Sequence, residues 1–372
     1  MKIVISGYIG KKITGIGRNL ICLLDNAHSD NEYIIYTNYD MKNDFKFSNP
    51  HVVVKTYSVS KMSSIKNLLW TTFVFPFVVK KENADIALIP NFTLLLFKFR
   101  PTIVIIHDLI EFNIKNKFSA KKMFYRTKIA DPLMVKRSDK IITVSENSKR
   151  DLIKFLKAPE NKINVVYNGV DQTKFYNMDR RRAENVLRDK GWPTDFILYA
   201  GTIDHPGKNA LSVVKAFETL KKSKKYNGYC VLAGMPGSGF EFVKKHIDNS
   251  EFKDHIIVTG YVSDEELIAL YSMCNTFVFV SLYEGFGIPP LEALSCGAKV
   301  VVSDTSSLPE VVGEVGITVN PSDQKAITKA VYKSIVMDVD DDYRNKVKQH
   351  LSNYDWKILS GKFEKVICNN AL

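Results

Sequence analysis

The chain has 372 residues, 45% of them hydrophobic and 25% charged, which excludes extended disorder and, at about 150 residues per domain, points to two cores. Its net charge of +12 is uneven: 33 of the 52 Lys and Arg but only 18 of the 40 Asp and Glu precede residue 191. Five scattered cysteines (Cys22, Cys230, Cys274, Cys296, Cys368) without a C-x2-C pair exclude a disulfide framework and a zinc site.

In chain order, Lys2-Ile3-Val4-Ile5-Ser6 predicts a strand, Gly7 to Gly17 a glycine loop, and Asn19 to Leu24 the helix after it. The opening apolar run is too short for a signal peptide, and no stretch of about 18 apolar residues follows. The expectation is a cytoplasmic protein. Short apolar runs recur at Tyr33 to Tyr36, Val52 to Val54, Ile86 to Ile89, Thr102 to Ile106, Lys140 to Val144 and Asn164 to Val166. Buried strands separated by helix-length segments imply a parallel sheet covered on both faces. The charged stretch 177–193 reads as an interdomain connection, which predicts a first domain over 1–193 and a second over 194–353. The second half repeats the scheme, with strands at Phe196 to Ala200, Tyr229 to Ala233, Ile256 to Thr259, Thr276 to Val280, Lys299 to Ser303 and Ile317 to Val319. Helical patterns at Ala210 to Lys222, Asp264 to Cys274 and Pro289 to Cys296 lie between them.

The densest chemistry is at Ser281-Leu282-Tyr283-Glu284-Gly285-Phe286-Gly287-Ile288-Pro289-Pro290-Leu291-Glu292. A strand ends in a Gly-x-Gly turn, and prolines open the next helix where a missing N–H costs nothing. Such a helix start, with its positive dipole end, suits a diphosphate. Glu284 before the turn and Glu292 within the helix supply paired acceptor oxygens for sugar hydroxyls.

This Glu-x7-Glu pattern, with Ser303-Asp304-Thr305-Ser306-Ser307-Leu308-Pro309-Glu310 downstream, closely resembles the signature of family four of the retaining GT-B glycosyltransferases. The likeness covers most of the chain. Leu198-Tyr199-Ala200-Gly201-Thr202 to Lys208-Asn209 is similar to the segment in which members set a lysine against the donor diphosphate, so Lys208 is the leading cation, with Gly201 and Thr202 beside the donor. Many relatives also carry an arginine there; this chain has Thr202 and Gly207 at the two positions. Thr14-Gly15-Ile16-Gly17-Arg18 resembles the family's glycine loop, placing Gly15 and Gly17 near the phosphates. Ile106-His107-Asp108-Leu109 resembles the strand end beside the transferred sugar, and Val262 stands where relatives hold the nucleotide base. Gly285, Phe286, Gly287 and Ile288 complete the donor set.

The resemblance implies two Rossmann-like domains facing across a central cleft, with a return helix within 354–372 packing on the first domain. It further implies transfer of a hexose with retention, no metal and no cofactor, the nucleotide-sugar being a substrate. GDP-mannose is the first expectation for the donor, with rhamnose or GlcNAc donors as alternatives, and a glycan or lipid-linked glycan is the acceptor, as in bacterial surface polysaccharide synthesis. Asp340-Asp341-Asp342 reads as a solvated helix start, not a metal motif. The apolar segments 68–81 and 92–100, flanked by cations and joined by Lys121, Lys122, Arg126 and Lys128, read equally as core helices or as a seat on an anionic inner membrane face. A nicotinamide enzyme would need a third glycine after Gly15-Ile16-Gly17. A nucleic-acid binder would interleave its cations with a stacking platform, and none is identifiable in the basic first half, so no nucleic-acid partner is expected.

Overall fold

The computed structural model describes residues 1–7, 15–57, 64–114 and 119–369. The chain forms two compact units, Met1–Gly169 with Trp356–Leu372, and Val170–Asp355. Each is built on one parallel sheet, as the continuous apolar runs require.

The first unit has seven strands: β1 (Lys2–Ser6), β2 (Glu32–Asn38), β3 (Val52–Tyr57), β4 (Ile86–Ile89), β5 (Thr102–Ile106), β6 (Lys140–Thr143) and β7 (Ile163–Val165), in the order β3-β2-β1-β4-β5-β6-β7. On β1, Ile3 and Ile5 face one core and Val4 the other, and all three are fully buried. The period-2 pleat divides one apolar run between two faces. Ile3 and Ile5 pack with Leu20 and Leu24 of helix Gly15–Asp25 and with Leu359, Phe363 and Ile367 of helix Trp356–Cys368. The last helix is thus part of the first unit's core, and its Glu364 carboxylate accepts from the His28 and Ser29 amides at 3.1 and 3.0 Å. Val4 packs with Trp70, Phe75 and Val79 on the opposite face.

The second unit has six strands: β8 (Phe196–Ala200), β9 (Tyr229–Ala233), β10 (Ile256–Gly260), β11 (Thr276–Phe279), β12 (Val300–Ser303) and β13 (Ile317–Val319), in the order β10-β9-β8-β11-β12-β13. The chain runs outward from β8 to β10, then crosses to the other side of β8 for β11.

The stretch 177–193 differs from the expected connection. Helix Arg180–Asp189 buries Ala183 and Leu187 and lies against helix Asp264–Met273 in the second unit. The Met178 amide donates to Ser272 Oγ at 3.0 Å, and Lys190 pairs with Glu266 at 2.6 Å. The boundary therefore falls after Gly169 and not at 193, because an arginine-rich outer face conceals a two-residue apolar stripe. Asp340 does cap a helix, Asp341–Ser352, its carboxylate accepting from the Tyr343 amide at 2.8 Å.

Candidate functional site

In the second unit the carboxyl ends of β8 and β11 lie side by side, where the strand order reverses direction. Open parallel sheets bind ligands at such a point because the two following loops diverge and leave a crevice. Lys208 follows β8 and Glu284 follows β11. Lys208 Nζ lies 2.7 and 2.8 Å from the two oxygens of Glu284, a bidentate ion pair, with Nζ also over the Phe279 ring at 5.6 Å. The Lys208 amide donates to Asp204 Oδ1 at 3.2 Å, and Asn209 anchors the segment by donating to the Val280 and Pro321 carbonyls. The Leu282 amide donates to the Gly207 carbonyl at 2.9 Å, tying the two loops together.

Gly287 caps helix Ile288–Ser295 with φ +105°, a left-handed conformation that favours glycine. Pro289 and Pro290 carry no N–H, so the orphan donors of the first turn come from Gly287 and Ile288. This helix start therefore offers fewer backbone donors than usual. A side chain at Gly287 would also meet Leu308 Cδ2 at 2.5 Å. Gly285 and Phe286 form the turn before it, Phe286 packing its buried ring on Tyr354. Glu292, one turn into the helix, receives the Tyr271 hydroxyl at 3.4 Å. The two glutamates therefore have different partners, Glu284 a cation and Glu292 a buried phenol.

Gly201 has φ +143° and donates to the Ala233 carbonyl at 2.9 Å; Thr202, exposed, accepts the Tyr199 hydroxyl on its carbonyl at 2.7 Å. Val262 is half-buried beyond the irregular end of β10, next to Ser263, which caps helix Asp264–Met273 in a reciprocal bond with Glu266.

Sequence reading missed Gly234. Its φ is +149°, and a Cβ there would lie 1.9 Å from the Gly201 carbonyl oxygen. Two backbones touch at this point, and the only sequence signal is a glycine ending a strand, which many turns share.

In the first unit, Gly15 and Gly17 lie within the first turn of helix Gly15–Asp25, so this helix begins earlier than Asn19. Gly17 is buried, whereas a Cβ at Gly15 would meet no atom of the described residues within 4 Å. Thr14 lies outside the described residues. Asn19 donates to Asn168 Oδ1 at 2.6 Å, fixing the helix to the segment after β7. Ile16 and His107 line one cavity of about 180 Å³ together with Asp108, Arg126 and Asp131. His107 Nε2 is 3.2 Å from the Pro90 carbonyl, which can only accept, so Nε2 carries the proton. Burial pushes the His107 pKa down, favouring the neutral ring with Nδ1 as an acceptor.

Arg126 differs from the expected membrane cation. It pairs with buried Glu111 through Nη2 at 2.9 Å and Nε at 3.1 Å, and stacks on Phe92 at 4.1 Å. A guanidinium so engaged is withdrawn from solvent. Asp131, also buried, has its pKa pushed up, first by desolvation and then by neighbouring Glu111, so its carboxyl favours the neutral form. Among the described residues no three His, Cys, Asp or Glu side chains gather as a metal set.

Two parallel-sheet Rossmann-like units define a GT-B protein, with an ion pair of opposite charges at the second unit's switch point. The chain belongs to the group 1 glycosyltransferases. Residues 24–174 match the Glycosyltransferase Family 4 pattern and residues 183–350 that of Glycosyl transferases group 1. It is 32% identical over 257 residues to the serotype-specific mannosyltransferase WbdA of Escherichia coli, a match covering 67% of this chain but 30% of WbdA. The chain thus spans under a third of that relative. The O-antigen chain mannosyltransferase RfbU of Salmonella typhimurium is 28% identical over 286 residues, 76% of this chain and 74% of RfbU. Anabaena Alr3699/HepE, solved in complex with UDP-glucose, superposes with a TM-score of 0.72 over 99% of this chain and all of that one, at 16% identity, a likeness of fold.

Proposed function

We propose that this chain is a retaining glycosyltransferase that moves a hexose, mannose from GDP-mannose in the first instance, onto a glycan or lipid-linked glycan during bacterial surface polysaccharide synthesis. The observation that carries the reading is the Lys208–Glu284 pair at the switch point; the O-antigen mannosyltransferases among its relatives support the choice of sugar. On this reading the cation turns to the departing diphosphate and the carboxylate to the sugar hydroxyls. Glu292 supplies a second acceptor, and the Gly287 and Ile288 amides take phosphate oxygens. In the first unit, Gly15, Gly17 and neutral His107 are the residues that the family resemblance assigns to the donor. Rate then comes from positioning and from stabilising the charge that develops on the leaving diphosphate, which takes the acceptor's proton.

A panel of GDP-, UDP- and dTDP-sugars tests the donor. A ligand at about 100 times its Kd stabilises a one-site protein by about 2.7 kcal/mol. GDP-mannose is expected to raise the melting temperature most. A larger shift from a UDP- or dTDP-sugar reassigns the donor, and no shift from any of them rejects the reading. Transfer is expected to proceed unchanged in excess EDTA, because charge on the diphosphate is met by Lys208 and backbone amides; loss of turnover restored by a divalent cation would reverse this.

The enzyme so proposed works in the cytoplasm, docked on the inner face of the plasma membrane. No described helix is long and apolar enough to cross a membrane. Segment 68–81 has features of both readings left by composition. Its inner side buries Trp70, Phe75 and Val79, while Leu69, Phe73 and Phe77 are 50, 46 and 74% exposed. Phe97 and Phe124, at 58 and 62%, lie on neighbouring segments, since Thr72 bonds to Leu94 and Phe92 packs on Tyr125. Exposed Lys80, Lys81, Arg100, Lys121, Lys122 and Lys128 accompany them. Aromatics with flanking cations suit an anionic bilayer. Phe77→Glu with Phe97→Glu is expected to abolish flotation with anionic vesicles at low salt while sparing transfer to a water-soluble acceptor; unchanged flotation would remove this surface from consideration.

A further inference from the structure

The hydrogen-bonded pairing of β11 with β12 ends at Phe279 and Val302. Beyond it the two chains continue side by side, and hydroxyl side chains take over from the backbone. Ser303 Oγ donates to the Ser281 carbonyl at 2.5 Å, and Thr305 Oγ1 to that of Leu282 at 3.2 Å. The Glu284 amide donates to Ser306 Oγ at 3.0 Å. Ser307 Oγ lies 3.0 Å from the Glu284 carbonyl oxygen and 2.6 Å from that of Phe286. The Glu284 N–H is therefore held by Ser306, and the single Ser307 proton, nearer the Phe286 carbonyl and shared at most with that of Glu284, ties down the turn that follows.

Two features mark these serines as more than loop filler. Ser307 is fully buried, so its hydroxyl has no water to exchange with, and removing it takes away the hydrogen bond it gives to the turn after Glu284. Ser306 sits at φ +56°, a conformation unusual for any residue with a Cβ, and in it Oγ faces the Glu284 amide while its own proton goes to the Thr305 carbonyl at 2.7 Å. The serine run 303–307 entered the sequence reading only as part of a motif, without a role.

We infer that Ser306 and Ser307 are positioning residues for sugar recognition: they fix the backbone from which Glu284 projects, so that its carboxylate meets the hexose of the donor. The inference rests on the reading that Glu284 holds the sugar. The effect is selective, because the nucleotide base would lie near Val262 on another loop, and Lys208 is anchored separately through Asp204 and Asn209. Loss of the clamp frees the carboxylate while leaving the diphosphate its cation.

The test is the ratio of affinities for GDP-mannose and GDP, measured by calorimetry on the full chain for the wild type, Glu284→Gln, Ser306→Gly and Ser307→Ala. Glycine adopts φ +56° without strain, so Ser306→Gly removes the hydroxymethyl group without straining the backbone and stays folded even where Ser307→Ala does not. A lost hydrogen bond of about 1.4 kcal/mol predicts a roughly 10-fold fall in preference for the sugar nucleotide in each serine variant, with GDP affinity within about 3-fold. A merely structural role would lower the melting temperature or the active fraction and leave the ratio untouched. A reduced ratio in Glu284→Gln but not in the serine variants would overturn the clamp and preserve the sugar-binding glutamate. An unchanged ratio in Glu284→Gln would overturn both.

Discussion

Replacement of Lys208 by alanine is expected to lower kcat/KM by about 10²- to 10³-fold, the range seen when one preorganised group stabilising a developing negative charge is removed. The size follows from how little else carries positive charge at this point. The family resemblance leads one to expect an arginine where this chain has Thr202 or Gly207, and Pro289 and Pro290 withhold two of the N–H groups a helix start would normally supply. On the proposed reading, the second unit then offers the diphosphate Lys208 together with the Gly287 and Ile288 amides. Arginine at 208 should restore only part of the rate, because a planar fork does not reproduce an ammonium placed by a four-carbon stem. Steady-state kinetics with the donor varied decide the matter: a fall confined to KM would mean that the lysine serves binding alone, and a fall of less than 10-fold would remove it from the reaction. The double variant Lys208→Ala/Glu284→Gln adds a check. The two side chains share a bidentate contact in the unliganded protein, so their effects should be non-additive, with a coupling above about 0.5 kcal/mol.

A methyl group at position 234 is expected to be the most damaging single-carbon addition in the second unit. The added Cβ of Gly234→Ala would sit 1.9 Å from the Gly201 carbonyl oxygen, with the Gly201 carbonyl carbon next at 2.7 Å, on a residue with φ +149°. Backbone cannot rotate away as a side-chain tip can, so the clash must be relieved by parting the ends of β8 and β9. The loss should exceed about 4 kcal/mol, in the tail of point-mutation effects, and the protein should unfold early or collect in the insoluble fraction. Gly191→Ala is the control: it too has positive φ, +68°, but its Cβ would meet nothing within 4 Å, so it should cost only about 1 kcal/mol. Equal melting temperatures for the two variants would contradict the argument. Surviving Gly234→Ala protein should also bind donor weakly, since Gly201 opens the loop that leads to Lys208.

The strands were legible because each is buried on both faces, so its residues are apolar regardless of the pleat, as in Ile86–Ile89 and Val300–Ser303. The glutamates and Lys208 were legible because the glycine turn, the prolines and the spacing lie together in the sequence. What stayed hidden depends on partners far along the chain. Arg180–Asp189 is a highly charged helix with a stripe only Ala183 and Leu187 wide, and its helical neighbour lies about 80 residues away. Arg126 looks like any surface cation until Glu111 is found beneath it. The outward and inward aromatics of 64–81 share one composition, and only the packed helix separates Phe77 from Phe75. Ser306 and Ser307 are polar residues in a loop by every local measure, and the carbonyls and amide they hold are some 20 residues upstream.

Helix Trp356–Cys368 completes a core whose other members lie before residue 170. During vectorial synthesis the later unit, continuous from Val170 to Asp355, can finish folding as it clears the ribosome, while the earlier one waits with Leu20, Leu24 and Ile105 uncovered until the final helix is made. At about 5–20 residues per second that delay is roughly 10 to 40 s, an interval in which a nascent-chain chaperone has an open apolar groove to occupy.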